Sequence, residues 1–442
     1  MGHRSTIGRV YESIDRIVNL RYFLPICLGV AFVLRVAWIL CVHNHQVSDF
    51  TLYAHWGKEI ASGRGFTIAG HPTAYYPIGY PAYLGLLFHI FGPSEFAAKA
   101  ANVLLYLGII ALAFALAKEL FHSRFVAGIT AALLAINPNH IAYTSVLLSE
   151  TLFTVLALAG ALLLIRWKGI AWAVLAAGIV FGAANIVRPL GTIVMFTVFA
   201  VVMWNARRLI SGKRVTVLLL LLVLGHGLAV LPYGIRNYMA MHRFSVVSLN
   251  TGMNLLFGNN PYANGTYPND HAVYAKVMAL VPQTRDEFAY NSALTRYAVG
   301  YVARHPLRTI KLWPRKLVYL YAFEVDAIHR NVDGLTNGKK LRLLMPVTQG
   351  YYMLLMVGCL GTVYLCLRRR GGGIPVLGFW LLIVWALIHM IVLGSSRYHY
   401  PMVPWITMYA AAMLRYIGGG SFLDSRVYDY SAARRLHGSG QA

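Results

Sequence analysis

Ten apolar runs, most of them close to the roughly twenty residues that cross a bilayer as helix, divide this chain and leave it few ways to fold. They lie near residues 22–42, 96–117, 125–142, 146–165, 170–187, 190–204, 215–233, 347–367, 374–394 and 400–417. Of the 442 residues, 58% are hydrophobic and 12% charged, about half the charged share of an ordinary soluble domain. Backbone N–H and C=O groups in lipid must bond within their own segment. The expectation is an all-α integral membrane protein of about ten transmembrane helices, organised as one domain over 1–442.

A formal net charge of +24 would point to nucleic acid in a soluble chain. Here the basic residues fall in short clusters between apolar runs, so no nucleic-acid partner is expected, and anionic membrane lipid is. The clusters are Arg4, Arg9, Arg16 and Arg21; Lys118 and Arg124; Arg166 and Lys168; Arg207, Arg208, Lys213 and Arg214; and Arg368, Arg369 and Arg370. Strict alternation of spans puts every cluster on one side, which the positive-inside rule makes the cytoplasm. Both termini belong there, including the polar tail 418–442. The basic start lacks a small-residue cleavage site before Asp49, so the first run is expected to be retained as a helix.

Two long segments, 43–95 and 234–346, and the turns at 137–145, 188–189 and 395–399 are then expected on the outer side. The larger loop is itself basic, but long loops are translocated largely regardless of charge. Its stretch 288–321 has a helical pattern rich in Tyr, Trp, Arg and Lys, which predicts amphipathic helices at the outer interface. Cys27, Cys41, Cys359 and Cys366 sit in or beside apolar runs, without disulfide or metal spacing.

Chemistry is expected among ionisable groups at the outer helix ends. Asp49 follows the first run and suits a general base, because an attacking hydroxyl must lose its proton; it equally suits a helix cap. Glu150 opens a run that is otherwise apolar to Arg166, where an ionisable group is either functional or one half of a structural ion pair. Arg188, Arg236 and Arg397 stand at matching outer positions. Guanidinium groups bind phosphate in bidentate fashion, or they snorkel to headgroups as anchors. The string His71-Pro72-Thr73-Ala74-Tyr75-Tyr76-Pro77-Ile78-Gly79-Tyr80-Pro81 predicts a rigid aromatic turn before a helix near Pro81. The Asn/Gly-rich run 252–266 suits turns, or amides for sugar hydroxyls. No phosphate-cradling Gly-rich loop, zinc-binding His-Glu-x-x-His or Gly-x-Ser-x-Gly elbow occurs.

Taken in order, Ser48-Asp49, Pro77-Ile78-Gly79-Tyr80-Pro81, Ser149-Glu150-Thr151-Leu152, Arg188-Pro189, Pro232-Tyr233-Gly234-Ile235-Arg236-Asn237-Tyr238, Gly258-Asn259-Asn260-Pro261 and Arg397-Tyr398-His399-Tyr400-Pro401-Met402-Val403-Pro404 span nearly the whole chain. In these strings the sequence resembles the bacterial GT-C glycosyltransferases, the clan of protein O-mannosyltransferases and the lipid A aminoarabinose transferase. The resemblance implies a GT-C-like fold in a bacterial inner membrane. It implies an enzyme that inverts the anomeric centre as it moves a sugar from a polyprenyl-phosphate donor to an envelope lipid or glycan at the periplasmic face. Asp49 would be the catalytic acidic residue, and Arg397, Arg236 and Arg188 would meet the donor phosphate. Tyr53, Tyr76, Tyr80, Glu150, Asn259, Tyr398 and His399 would border the donor or acceptor cavity. Protein O-mannosyltransferases resemble an adjacent Asp-Glu pair at the first loop; here Phe50 follows Asp49, which speaks against a protein hydroxyl acceptor. The soluble C-terminal domain of larger members is not expected.

No cofactor is expected, since Asp49 and Glu150 alone are a weak ligand set for a divalent metal. Two rival classes remain open. A lipid or solute transporter would place ionisable or broken positions near mid-membrane, where Arg35 is the clearest charge. An O-antigen ligase or polymerase would use a pyrophosphate-linked donor.

Overall fold

The computed structural model describes residues 6–167, 169–268, 270–335, 338–368 and 376–420. Arg4, Lys168, Arg369, Arg370 and the tail beyond Gly420 lie outside the described residues. Helix α1 (Thr6–Val18) leads into α2 (Phe23–Cys41). The first outer segment folds as α3 (Asp49–Ala61), a hairpin of β1 (Thr67–Ile68) and β2 (His71–Pro72), and α4 (Gly79–Phe91). The chain continues through α5 (Glu95–Phe121), α6 (Arg124–Ala135), α7 (Pro138–Ala142), α8 (Ser149–Ile165), α9 (Ala171–Val187), α10 (Gly191–Ala206) and α11 (Gly212–Met241). The large loop supplies α12 (Thr251–Gly258), α13 (His271–Met278), α14 (Glu287–Arg304), α15 (Pro306–Tyr321) and α16 (Asp326–Asp333). Helices α17 (Met345–Arg368), α18 (Val376–Ile391) and α19 (Val403–Ile417) complete it.

All ten apolar runs are helical, but they differ in reach. Among the described residues four helices are long and apolar enough to cross a membrane alone, Phe23–Cys41, Glu95–Phe121, Gly212–Met241 and Leu341–Arg368. A fifth span results if Arg124–Ala135 and Pro138–Ser145, bent by 49°, are counted as one. Helices α8, α9, α10 and α18 have 16 or 17 residues, which reach only about 25 Å. Helix α19 is buried on all sides from Val403 to Ala412, so its surroundings are protein. Elsewhere apolar side chains face outward at helical spacing: Val217, Leu220, Leu224, Leu228 and Leu231 on α11, and Leu354, Val357 and Leu360 on α17, are exposed. Such stripes are stable only against lipid. The chain is a multi-pass membrane protein.

The bend between α6 and α7 explains the buried charge in α2. Pro138 lacks an N–H, so the Leu134 carbonyl four residues earlier loses its helical donor. Arg35, fully buried, supplies the replacement: Nη2 donates to Leu134 O at 3.1 Å and Nη1 to Ala135 O at 2.8 Å. The strongest sequence sign of a transporter is thereby a structural pin. Arg35→Leu is expected to destabilise the protein by about 2 kcal/mol, since the Ala135 carbonyl loses this donor, the Leu134 carbonyl keeps only bent or long backbone bonds such as that from Asn137 N–H at 3.4 Å, and an unsatisfied buried acceptor costs roughly 1–3 kcal/mol. Thermal unfolding in detergent measures this, and an unchanged midpoint would refute the pin.

Small residues bring α9 and α11 together. A Cβ added at Gly178 would lie 2.2 Å from Leu222 O, and one at Gly225 2.2 Å from Leu175 O. With both glycines the backbones touch, as at other small-residue crossings in membranes. The same alternation of helices sorts the polar ends. At one end Arg166 pairs with Glu119 at 2.7 Å, Arg124 donates to Leu20 O and Arg214 to Gly169 O. The other end gathers Asp49, Glu150, Arg188 and Arg397.

Candidate active site

Asp49 is the first residue of α3, reached through Ser48 at φ 56°, a left-handed backbone that side chains rarely adopt. Such local strain recurs where a functional side chain must be aimed. Its carboxylate does not cap the helix. Instead Oδ1 accepts from the Tyr76 hydroxyl at 3.1 Å and Oδ2 from Arg397 Nη1 at 3.0 Å.

Arg397 comes from the 3-10 turn Ser396–Met402 between α18 and α19. It also grips Glu150, the second residue of α8, with Nε to Oε1 at 2.5 Å and Nη2 to Oε2 at 3.1 Å. Arg188, at the end of α9, donates to Glu150 Oε1 at 2.7 Å and Ser149 Oγ at 3.2 Å. Glu150 is fully buried, so two guanidinium groups supply what water cannot. Burial alone would disfavour the charge on Arg397, but the Glu150 and Asp49 carboxylates outweigh it and hold its pKa well above the ordinary arginine value. Burial, then the neighbouring Asp49 carboxylate, push the Tyr76 phenol up, so it donates to Asp49 as the neutral hydroxyl.

Tyr53 and Tyr80 back this cluster. Their rings meet edge to face at 5.3 Å, and Tyr53 meets Tyr76 in the same way at 6.1 Å. Tyr80 is fully buried, and its hydroxyl has no hydrogen-bond partner among the described residues. Tyr398 lies under Arg188, whose guanidinium sits 5.3 Å from the ring centre. A hollow of about 450 Å³ opens beside α3, with Tyr76 in its wall.

Three expected site residues are placed elsewhere. Arg236 donates to Phe66 O at 2.6 Å and Thr73 O at 2.7 Å, so it clamps the first outer segment and its donors are turned from the cluster. His399 is fully buried between the Leu320 carbonyl and the Glu324 carboxylate, stacked on Tyr352. Asn259 gives its amide N–H groups to Leu255 O and Ile391 O, both at 2.9 Å, and accepts from Lys316 at 3.2 Å.

Two groups that sequence reasoning passed over hold the cluster in place. Glu287, at the start of α14, accepts from Thr73 Oγ1 at 2.6 Å and from the Ala74 N–H at 2.9 Å, fixing the turn that carries Tyr76. No sequence signal singled it out, since it stands beside Asp286 among six acidic residues of that loop. Lys316, fully buried on α15, donates to Met390 O, Val392 O and Ile391 O at 3.0, 3.0 and 3.3 Å. It thus closes the C-terminal end of α18, a few residues before Arg397. A Cβ at Gly394 would lie 2.0 Å from the Lys316 carbonyl, so α15 meets this segment backbone to backbone.

Burial lowers the Lys316 pKa to about 8. All four of its acceptors, Asn259 Oδ1 and the carbonyls of residues 390–392, are uncharged. Above that pH the amine keeps two N–H groups for four acceptors, and the clamp on 390–394 loosens. The unfolded chain holds its proton to about 10.5, so through this window it binds more protons than the folded one, and this group's contribution to stability rises with pH. Activity is therefore expected to fall as pH rises through about 8 while the thermal midpoint does not. Lys316→Met, neutral throughout, is expected to be slower and flat across that range; an unchanged alkaline limb in the variant would dismiss the clamp.

Among the described residues no three His, Cys, Asp or Glu side chains gather as a metal site. Between Asp49 and Glu150 stands the Arg397 guanidinium, where a bridging cation would have to sit.

Residues 75–233 match the family model described as dolichyl-phosphate-mannose-protein mannosyltransferase. That stretch holds Tyr76, Tyr80, Glu150 and Arg188. The oligosaccharyltransferase of Archaeoglobus fulgidus, solved with a tethered acceptor peptide, superimposes with a TM-score of 0.52 at 16% identity over 94% of this chain. The likeness to that archaeal structure is one of fold. This chain spans about half the length of the archaeal protein, covering 53% of it. ArnT from Cupriavidus metallidurans, in its undecaprenyl phosphate-bound and apo forms, is matched over 90% of this chain and 77% or 76% of that one. The TM-score is 0.37 for both, at 15% and 16% identity, so the fold assignment rests on the archaeal structure. No curated protein matches this chain in sequence.

Proposed function

We propose that this protein is an inverting glycosyltransferase that moves a sugar from a polyprenyl-phosphate donor to an envelope lipid or glycan, at the periplasmic face of a bacterial inner membrane. One observation carries the reading: a single guanidinium, Arg397, is shared between the half-exposed Asp49 carboxylate and the buried Glu150, with Arg188 beside it. The cluster stands at the helix ends opposite the basic clusters, which supports the outward orientation.

Asp49 removes the proton from the acceptor hydroxyl. The hydroxyl oxygen bonds to the anomeric carbon on the face opposite the phosphate, and the bond from that carbon to the phosphate oxygen breaks. Polyprenyl phosphate leaves with one more negative charge than it carried as a diester. That charge develops beside Arg397 and Arg188, and fixed cations in a poorly hydrated site stabilise it without reorganising. A phosphate leaving group needs positive charge more than a general acid. A lipid-borne donor also accounts for a site set among membrane helices, because such a donor does not leave the bilayer.

The test is purified protein given a polyprenyl-phosphate hexose, with the released lipid analysed by mass spectrometry. The expected product is polyprenyl monophosphate. Cleavage confined to a pyrophosphate-linked donor would favour the ligase or polymerase class instead, and no cleavage of either would sink the transferase reading.

A further inference from the structure

The hollow beside α3 takes no part in the donor chemistry just described. Leu52, His55, Trp56, Ile68, Tyr75 and Tyr76 line its volume of about 450 Å³, within the usual range for small-molecule sites. Asp49 stands three residues before Leu52 and seven before Trp56, so the helical period puts all three on one side of α3. Tyr76 joins the two regions, forming part of the wall while donating to Asp49 Oδ1. The other oxygen, Oδ2, faces Arg397. Asp49 is not itself in the wall; Tyr76, which is, links the hollow to one carboxylate oxygen while the guanidinium cluster holds the other. In an inverting displacement nucleophile and leaving group approach the anomeric carbon from opposite sides. A phosphate drawn to the arginines leaves the hollow as the acceptor's side.

The lining selects among acceptors. No Lys, Arg, Asp or Glu is in the wall, so nothing there offsets the desolvation of a phosphate or carboxylate. Lys58, Arg64 and His71 are exposed at the end of α3 and around the hairpin, so the segment that carries the hollow meets water there. Two partly exposed tyrosine rings, backed by the buried Trp56 indole, offer faces for the C–H side of a sugar ring, and His55 offers a polar partner for hydroxyls.

We propose that this hollow seats the ring of an uncharged sugar on the acceptor, with one hydroxyl turned toward Asp49. The proposal rests on the transferase reading above and names the chemistry of its second substrate. In the reaction the seated hydroxyl gives its proton to Asp49 and its oxygen to the anomeric carbon, as polyprenyl phosphate departs.

The test supplies the full-length protein with a polyprenyl-phosphate hexose and three kinds of probe acceptor: methyl hexopyranosides, glucose 6-phosphate and a short Ser/Thr peptide. A neutral methyl hexopyranoside is expected to speed release of polyprenyl phosphate, and the other two are not. Tyr75→Ala, and Leu52→Arg at the exposed rim, are expected to raise the half-saturating glycoside concentration roughly tenfold, leaving the donor's half-saturation unchanged. Tyr75→Phe keeps the ring face and is expected to behave like the parent. Preference for the phosphate or peptide probe, no acceleration by any neutral glycoside, or unchanged half-saturation in both variants overturns the proposal. Absence of donor cleavage with or without acceptor overturns the transferase reading instead.

Discussion

Asp49→Asn is expected to slow sugar transfer by between about a hundredfold and ten-thousandfold, the usual contribution of a positioned general base. The amide keeps one acceptor oxygen for Tyr76 or Arg397, so the geometry of α3 survives while the proton acceptor is gone. Stability is expected to change little. The Asp49 side chain is 34% exposed, and an ion pair in contact with water contributes about 1 kcal/mol or less. Arg397 also retains both contacts to Glu150. Transfer rate and thermal midpoint measured on the same preparation separate the two effects. Turnover within a few-fold of the parent would remove Asp49 from the chemistry, and a midpoint that falls along with the rate would make it a structural residue.

Glu150→Gln is expected to act the other way round, on folding before chemistry. Glu150 is fully buried and accepts from both Arg397 and Arg188, whose side chains are only 10% and 15% exposed. Without its charge the two guanidinium groups stay desolvated with Asp49 as their remaining counter-ion. Removing one partner of a buried ion pair typically destabilises by about 3–5 kcal/mol. The expected result is a much reduced yield of folded protein and a lowered unfolding midpoint in detergent, with transfer lost in proportion. A stable, fully active Glu150→Gln protein would contradict this account of the cluster. A stable but inactive one would move Glu150 from support to chemistry.

The contrast shows why these positions were visible before any coordinates. In a chain with 15 acidic residues, a carboxylate at the end of an apolar run stands out, because membrane helices tolerate ionisable groups only where something pairs with them. Asp49, Glu150, Arg188 and Arg397 are such groups, and the fold brings all four to one place. Arg236 looked equivalent by position, but it lies at the end of α11, within reach of the Phe66 and Thr73 carbonyls. Asn259 and His399 sat in suggestive strings and turned inward to satisfy buried backbone and a buried glutamate. A motif records residue type and order, whereas the direction of a side chain depends on which helix packs behind it. Glu287 and Lys316 escaped notice because a loop of more than a hundred residues offers many charges and little period by which to rank them.

That the apolar runs are helical was set by the sequence alone, because a bilayer admits only internally bonded backbone and the apolar runs announce where it lies. Their reach was not: several helices are too short to cross alone, and α19 is enclosed by protein. The bend after α6 was written in Pro138, but that Arg35 answers it became evident only from the tertiary structure, where α2 passes within hydrogen-bond distance of the freed carbonyls. Tertiary structure alone likewise decided that one guanidinium serves two carboxylates nearly 350 and 250 residues away, and that an aromatic hollow flanks one of them. Local physics fixes where a helix starts and which face is apolar. Convergence at a site depends on how helix ends meet, and that is a property of packing between segments remote in the chain.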